Sequence, residues 1–210
     1  MTLLLVRHAQ SSGNASGTIQ GWRDEPLTAH GREQAAALAE RLGRREPRIT
    51  ALYSSTLARA RETAAPLAAA LGLEVERRAE LREYGYGAAE GLSWAEVEQR
   101  FGITLVQWGR GELPGEEGPE AFRGRVLRCF RELAGRHRDG HAAVITHGGV
   151  IAAILAHVLG VPEGSWVRMH LPNGSLAEVA PDGDRHALLS LNGHDDLAAL
   201  TRPRERPGSP

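Results

Sequence analysis

Short, unbroken apolar runs separated by longer segments of helical spacing are the feature that most limits the folds open to this chain. Thr2 to Val6 is rich in leucine with no polar alternation, the pattern of a strand covered on both faces. Ile49 to Tyr53 and Ala142 to Thr146 repeat it, Glu74 to Glu76 is a weaker version, and Leu176 to Val179 and Ala187 to Leu191 form a late pair joined by Pro181-Asp182-Gly183. Between them the apolar period changes to that of a helix. Ala35, Leu38, Ala39 and Leu42 share one face of Thr28 to Leu42, and Leu57, Ala60, Ala64, Leu67, Ala68 and Leu71 share one face of Thr56 to Leu71. Gly72 is placed to end the second of these helices. Ser93 with Glu96 starts another as a capping box. Phe122, Val126, Cys129, Phe130 and Leu133 form a further stripe, and Ile151, Ile154, Leu155 and Val158 form the inner face of a helix after His147. Ser11 to Asp24, Leu81 to Leu92 and Gly109 to Gly118 read as loops. Strands alternating with helices predict an α/β sandwich with a mainly parallel central sheet. Residues 1–200 read as a single domain, and the proline- and arginine-rich stretch 201–210 as a disordered tail.

Charge and cysteine content narrow the function. The formal net charge of −1 argues against a nucleic-acid binder, which carries a basic excess or stripe, but leaves room for a small anionic ligand. A lone cysteine, Cys129, allows neither an internal disulfide nor a Cys-rich metal site, and its place on an apolar stripe makes it a core residue. Met1 to Val6 is too short for a signal peptide, and the run Val150 to Val158 is too short to span a bilayer, so a cytoplasmic protein with no membrane association is expected.

Two histidines occupy equivalent places. His8 follows the first buried strand, and His147 follows Ala142 to Thr146, with Gly148 and Gly149 leading into a helix. In parallel sheets ligands bind at the carboxyl ends of strands, so both can face one crevice. The glycines let the backbone approach a ligand, and the helix offers its first N–H groups to an anion. Arg7 adjoins His8, and Arg59 lies one turn into the helix after the second strand. A helical arginine alone is ordinarily a solvated surface residue, but a guanidinium in this position can grip phosphate bidentately. Glu83 is a loop carboxylate that matters only if it reaches the same crevice.

The sequence resembles the histidine phosphatase superfamily, also called the phosphoglycerate-mutase-like family. The resemblance rests on Leu-Val-Arg7-His8-Ala9-Gln10 through Asn14, Gly21-Trp22-Arg23-Asp24 with Leu27-Thr28 and Gly31, and Tyr53-Ser54-Ser55 through Arg59-Ala60 to Thr63-Ala64. It continues in Leu81-Arg82-Glu83 with Gly91, Thr146-His147-Gly148-Gly149 and Pro172-Asn173. It implies a three-layer α/β/α sandwich of the phosphoglycerate-mutase-like type. It further implies that His8 is the nucleophile, that Arg7, Asn14, Arg59, His147 and Gly148 hold the phosphate, and that Glu83 is the general acid. The implied reaction is hydrolysis of a small phosphorylated metabolite through a phosphohistidine, with no metal and no cofactor.

Departures from the family pattern bear on the reaction. Ala9 replaces a common glycine, and Pro114-Gly115-Glu116-Glu117-Gly118 only partly matches the relatives' substrate loop. Glu83-Tyr84-Gly85-Tyr86-Gly87 lacks the Arg and His that mutases carry after the acid, which favours a phosphatase over a phosphoglycerate mutase. A non-catalytic phosphate-binding regulatory protein is the reading from another class; its mark would be loss of His8 or Glu83, and both are present. Gln20, Gly21, Trp22 and Tyr84, with Tyr86 and Trp108, are candidates for the substrate rim. Trp166 has only a packing role to suggest. The substrate is not legible, and the chain is expected to be a monomer or a homodimer.

Overall fold

A computed structural model describes residues 2–104, 111–137, 140–162 and 169–192. Its sheet has six strands, β1 (Thr2–Arg7), β2 (Ala51–Ser55), β3 (Val75–Arg78), β4 (His141–Thr146), β5 (Leu176–Asp182) and β6 (Arg185–Leu191), in the order β3-β2-β4-β1-β5-β6. The first four are mutually parallel, from β3 through β2 and β4 to β1. β5 runs antiparallel to β1, and β6 returns beside it through a two-residue turn that Gly183 opens in the left-handed region. The sheet is thus mainly parallel, as the strand–helix alternation predicts.

Alternate residues of β1 build two cores. Leu3 and Leu5 pack with Val144 of β4 against Phe122, Val126, Phe130 and Leu133 of α5 (Pro119–Arg136) and Val150, Ile151 and Ile154 of α6 (Gly148–Val158). Leu4 and Val6 pack with Ile145 on the opposite face, against Leu38 and Leu42 of α2 (Ala29–Gly43) and Ala60, Ala64 and Leu67 of α3 (Ala58–Leu71). Helices therefore cover both faces, which makes three layers. Each fully buried leucine or phenylalanine contributes about 1.5–3 kcal/mol. Cys129 is one of these core residues; burial pushes its thiol up to about 11. A satellite cluster of Ile19, Ala89, Val97, Ile103 and Leu113 packs α4 (Trp94–Phe101) under the loops at one end.

Several boundaries differ from the sequence expectation for identifiable reasons. The segment read as a loop from Ser11 contains a short helix, α1 (Ser12–Ser16), stabilised by a reciprocal cap between Ser11 and Asn14. The second strand lies two residues later than its apolar run, because the ladder to β4 begins at Ala51 opposite Ala142; Ile49 stays buried outside it. Arg7 belongs to β1, where it pairs with Thr146. The helix read from Thr56 begins at Ala58. Trp108, Trp166 and 201–210 lie outside the described residues. Among the described residues no helix is long and apolar enough to cross a membrane.

Candidate active site

β1 and β4 end side by side, so the chain leaves the sheet at His8 and His147 in neighbouring positions. Their ring centroids are 5.0 Å apart at an interplanar angle of 61°. His8 is 3% exposed and His147 fully buried. The backbone after β1 is pinned by long-range bonds: His8 N–H donates to the Thr146 carbonyl at 2.9 Å, and Ala9 N–H donates to Thr63 Oγ1 of α3 at 3.0 Å. Thr28, the N-cap of α2, donates its N–H to the Gln10 carbonyl at 3.0 Å. A methyl group at Gly31 would run into that same carbonyl, so the close approach of α2 to the site requires glycine.

One contact determines the chemistry of His8. Its Nδ1 lies 2.7 Å from the carbonyl oxygen of Ala9. A carbonyl only accepts, so Nδ1 carries the proton and the Nε2 lone pair is left available. Burial, then the charges of Arg59 and Arg7, hold the imidazolium form far below the usual histidine range. His147 is depressed for the same reasons, burial first and then Arg59, His8 and Arg7. Its Nε2 is 2.8 Å from Ser55 Oγ at the end of β2.

The cations are fixed equally firmly. Arg59, 1% exposed, donates to the Arg23 carbonyl at 2.9 Å and the Gly21 carbonyl at 2.8 Å. Burial lowers its guanidinium to about 10, which leaves it charged at neutral pH. Arg7 donates to the Leu171 carbonyl, and a methyl at Gly148 would lie 3.7 Å from Arg7 Nε, which places this guanidinium beside the start of α6. Arg7 Nε, Arg59 Nε and His147 Nδ1 are buried without a hydrogen-bond partner among the described residues. A buried polar group left unpaired costs about 1–3 kcal/mol, and a phosphate offers the acceptors and the charge to satisfy this set.

Glu83 completes the cluster. Its carboxylate accepts from Gly149 N–H of α6 at 3.1 Å and from Tyr84 N–H at 2.9 Å, and its charge acts on both Arg7 and Arg59. A side chain at Gly149 would collide with this carboxylate. Asn14 uses its Oδ1 to accept from Ser11 and, at 3.0 Å, from Asn173 Nδ2, which also donates to the His8 carbonyl at 3.0 Å. Asn173 thereby ties Asn14 to His8.

The proposed rim divides. Trp22 is 44% exposed and donates its indole N–H to the Glu83 carbonyl at 2.7 Å. Gly21 acts through its carbonyl on Arg59. Gln20 turns its side chain back to accept from Ser11 Oγ at 2.7 Å. Tyr84 is a correction: at 1% exposure it packs edge-on against Phe122 and donates to Glu116 Oε1 at 2.5 Å, so it belongs to the core and not to a rim. Glu116 and Glu117, from the loop of uncertain match, hold structure together. Glu116 also accepts from Leu113 N–H, and Glu117 pairs with Arg125. Ser55 and Thr63 belong to the motifs that carry the resemblance but are given no role there, and Arg125 is not singled out by the sequence; each acts through a partner distant in the chain.

Two neutral histidines raise a testable stability consequence. Their native pKa values lie below the unfolded value, so as pH falls through about 6.5 the unfolded chain gains protons that the native state refuses, and stability falls. The slope is at most about 1.4 kcal/mol per pH unit for each histidine. Thermal unfolding followed from neutral to acid pH should show this loss, and inorganic phosphate should offset it. An equally steep loss in a His8→Ala, His147→Ala double variant would overturn the assignment.

A neutral imidazole enclosed by fixed cations at the edge of a parallel sheet is suited to attack on a phosphoryl group; fold and site together define an α/β phosphotransfer enzyme. The pattern of the Histidine phosphatase superfamily (branch 1) matches residues 3–194, and the chain belongs to that superfamily. A metal-independent phosphoserine phosphatase of Arabidopsis thaliana is 35% identical over 164 residues, covering 74% of this chain and 68% of its own. A glucosyl-3-phosphoglycerate phosphatase of Mycolicibacterium vanbaalenii is 33% identical over 210 residues, covering 93% and 92%. The solved native structure of a mycobacterial glucosyl-3-phosphoglycerate phosphatase superposes with a TM-score of 0.81 at 28% identity, covering 92% of this chain and 99% of that one. The chain is a phosphomonoester hydrolase of this family.

Proposed function

We propose that hydrolysis proceeds in two displacements at His8. The observation that carries this reading is the Nδ1 contact to the Ala9 carbonyl, which leaves Nε2 as an unprotonated nucleophile among fixed cations. In the first step Nε2 attacks phosphorus, the bond from phosphorus to the ester oxygen breaks, and Glu83, which has to enter this step as the acid and not the free carboxylate, gives its proton to the leaving oxygen. In the second, water attacks the phosphohistidine, Glu83 takes the water proton, and the P–N bond breaks to return neutral His8 and inorganic phosphate. Arg7, Arg59, His147, the Gly148 N–H and Asn14 would bind the equatorial oxygens, whose charge grows in the transition state. No step calls for a metal or cofactor. Trp22 remains the candidate for contact with the rest of the substrate.

The test uses two leaving groups. Glu83→Gln should slow an alkyl phosphate such as phosphoserine about 100-fold or more, and p-nitrophenyl phosphate, whose phenolate leaves unaided, far less. Equal losses would remove the acid role. Isomerised 3-phosphoglycerate in place of released phosphate would turn the reading to a mutase. A panel of sugar phosphates, phosphoglycerates, nucleotides and phosphoserine would define the substrate.

A further inference from the structure

We propose that Arg125 of α5 is a positioning residue for the reaction: by gripping the backbone beneath Glu83 it determines how well the leaving oxygen is protonated. This rests on the acid role of Glu83. Among the described residues Arg125 makes no hydrogen bond to the phosphate cluster, where it acts on His147 through its charge, and all five of its N–H donors are used elsewhere. Nε and one terminal nitrogen pair with Glu117, the second of these contacts at 2.8 Å. The other N–H groups go to three main-chain carbonyls, those of Glu80 and Arg82 at 2.7 Å each and of Glu83 at 2.8 Å. Glu117 extends the grip. Its N–H donates to the Gly85 carbonyl at 2.9 Å, and its carboxylate accepts from Gly85 N–H at 3.2 Å.

The acid loop is otherwise irregular, a 3₁₀ turn at Ala79–Leu81 followed by extended backbone, with little intrinsic preference for one path. Residues 80 to 85 are therefore held from outside. The guanidinium lies over the Phe122 ring, 5.0 Å from its centroid, and 6.0 Å from that of Trp22, whose indole N–H shares the Glu83 carbonyl. The clamp is mostly buried, with 13% of the Arg125 and 9% of the Glu117 side chain exposed. Only a planar fork of five donors can serve a carboxylate and three carbonyls at once; an ammonium has three. Displacing a reacting group by about 1 Å costs on the order of 100-fold in rate, so a slack loop would show in the step that needs Glu83.

The test measures kcat and KM for phosphoserine and p-nitrophenyl phosphate in Arg125→Lys, Glu117→Gln and Glu83→Gln, with thermal midpoints and the yield of acid-labile phosphoenzyme. Arg125→Lys should lower the ratio of alkyl to p-nitrophenyl kcat/KM, which reports the first displacement alone, about 30-fold or more. KM for p-nitrophenyl phosphate should hold, and phosphoenzyme should form in at least the parent yield, because Glu83 also serves as the base for its hydrolysis. Glu117→Gln, which keeps the carbonyl bonds, should shift the ratio in the same direction by less. Adding Arg125→Lys to Glu83→Gln should not change the ratio further. Parallel losses on both substrates, or an unchanged ratio in either clamp variant, would overturn the positioning role while leaving the acid role intact. An unchanged ratio in Glu83→Gln itself would remove the acid reading, and this proposal with it.

Discussion

His8→Ala should abolish turnover, by about 10⁴-fold or more, together with every trace of acid-labile phosphoenzyme. The expectation follows from how the side chain is held. Nδ1 is committed to the Ala9 carbonyl, burial and two arginines keep the ring neutral, and the backbone is tied to β4 and α3. Among the described residues His147 is the one other imidazole within ring-contact distance, and its Nε2 is engaged with Ser55. The fold should survive, because alanine removes a buried ring whose one side-chain hydrogen bond is to its own neighbour; the Ala9 carbonyl loses a partner at roughly 1–3 kcal/mol. Rapid quenching with labelled p-nitrophenyl phosphate reads the intermediate directly. Retained turnover, or label appearing on another residue, would overturn the nucleophile assignment.

Arg59→Met should come next in size, lowering kcat/KM roughly 100- to 1,000-fold. Two effects combine. The phosphate loses a buried cation with an unpaired Nε, and the Gly21 and Arg23 carbonyls lose their donors. The second effect loosens the segment that carries Trp22, so KM should rise as kcat falls. Arg59→Lys should recover less than about 10-fold, because an ammonium cannot span two carbonyls and a phosphate in the geometry of a planar fork. Steady-state kinetics on p-nitrophenyl phosphate, with affinity for inorganic phosphate measured by competition, would check both effects. Activity within a few-fold of the parent would exclude Arg59 from the site. Linkage runs in parallel: removing a buried cation that lowers the pKa of both histidines should raise them in the variant.

The central strands and their covering helices were readable because their signals are local. A strand covered on both faces must be apolar throughout, and a helix covered on one side repeats at its own period. Strand ends follow from where those runs stop, so the sequence itself places His8 and His147. α1 escaped notice because it is five residues long and contains glycine and asparagine, with a stability that depends on the Ser11–Asn14 cap and on pairing of Ser11 with Leu27. The glycines around Tyr84 read as a surface loop, whereas Phe122, 38 positions along the chain, draws it inside.

From its sequence alone, then, this chain could be assigned its layered α/β architecture and the motifs that resemble a phosphohistidine site. Both rest on residue types and short spacings. Tertiary structure decided which nitrogen of His8 is free, which carbonyls hold Arg59, and what fixes Glu83 in place. Each of these depends on a partner's backbone position to within a few tenths of an ångström. Such positions are the joint result of packing by segments from opposite ends of the chain, and no local pattern records them. Arg125 shows this most plainly: along the sequence it is one arginine among many on a helix, and in the fold its five donors join Glu117 to the loop that carries Glu83.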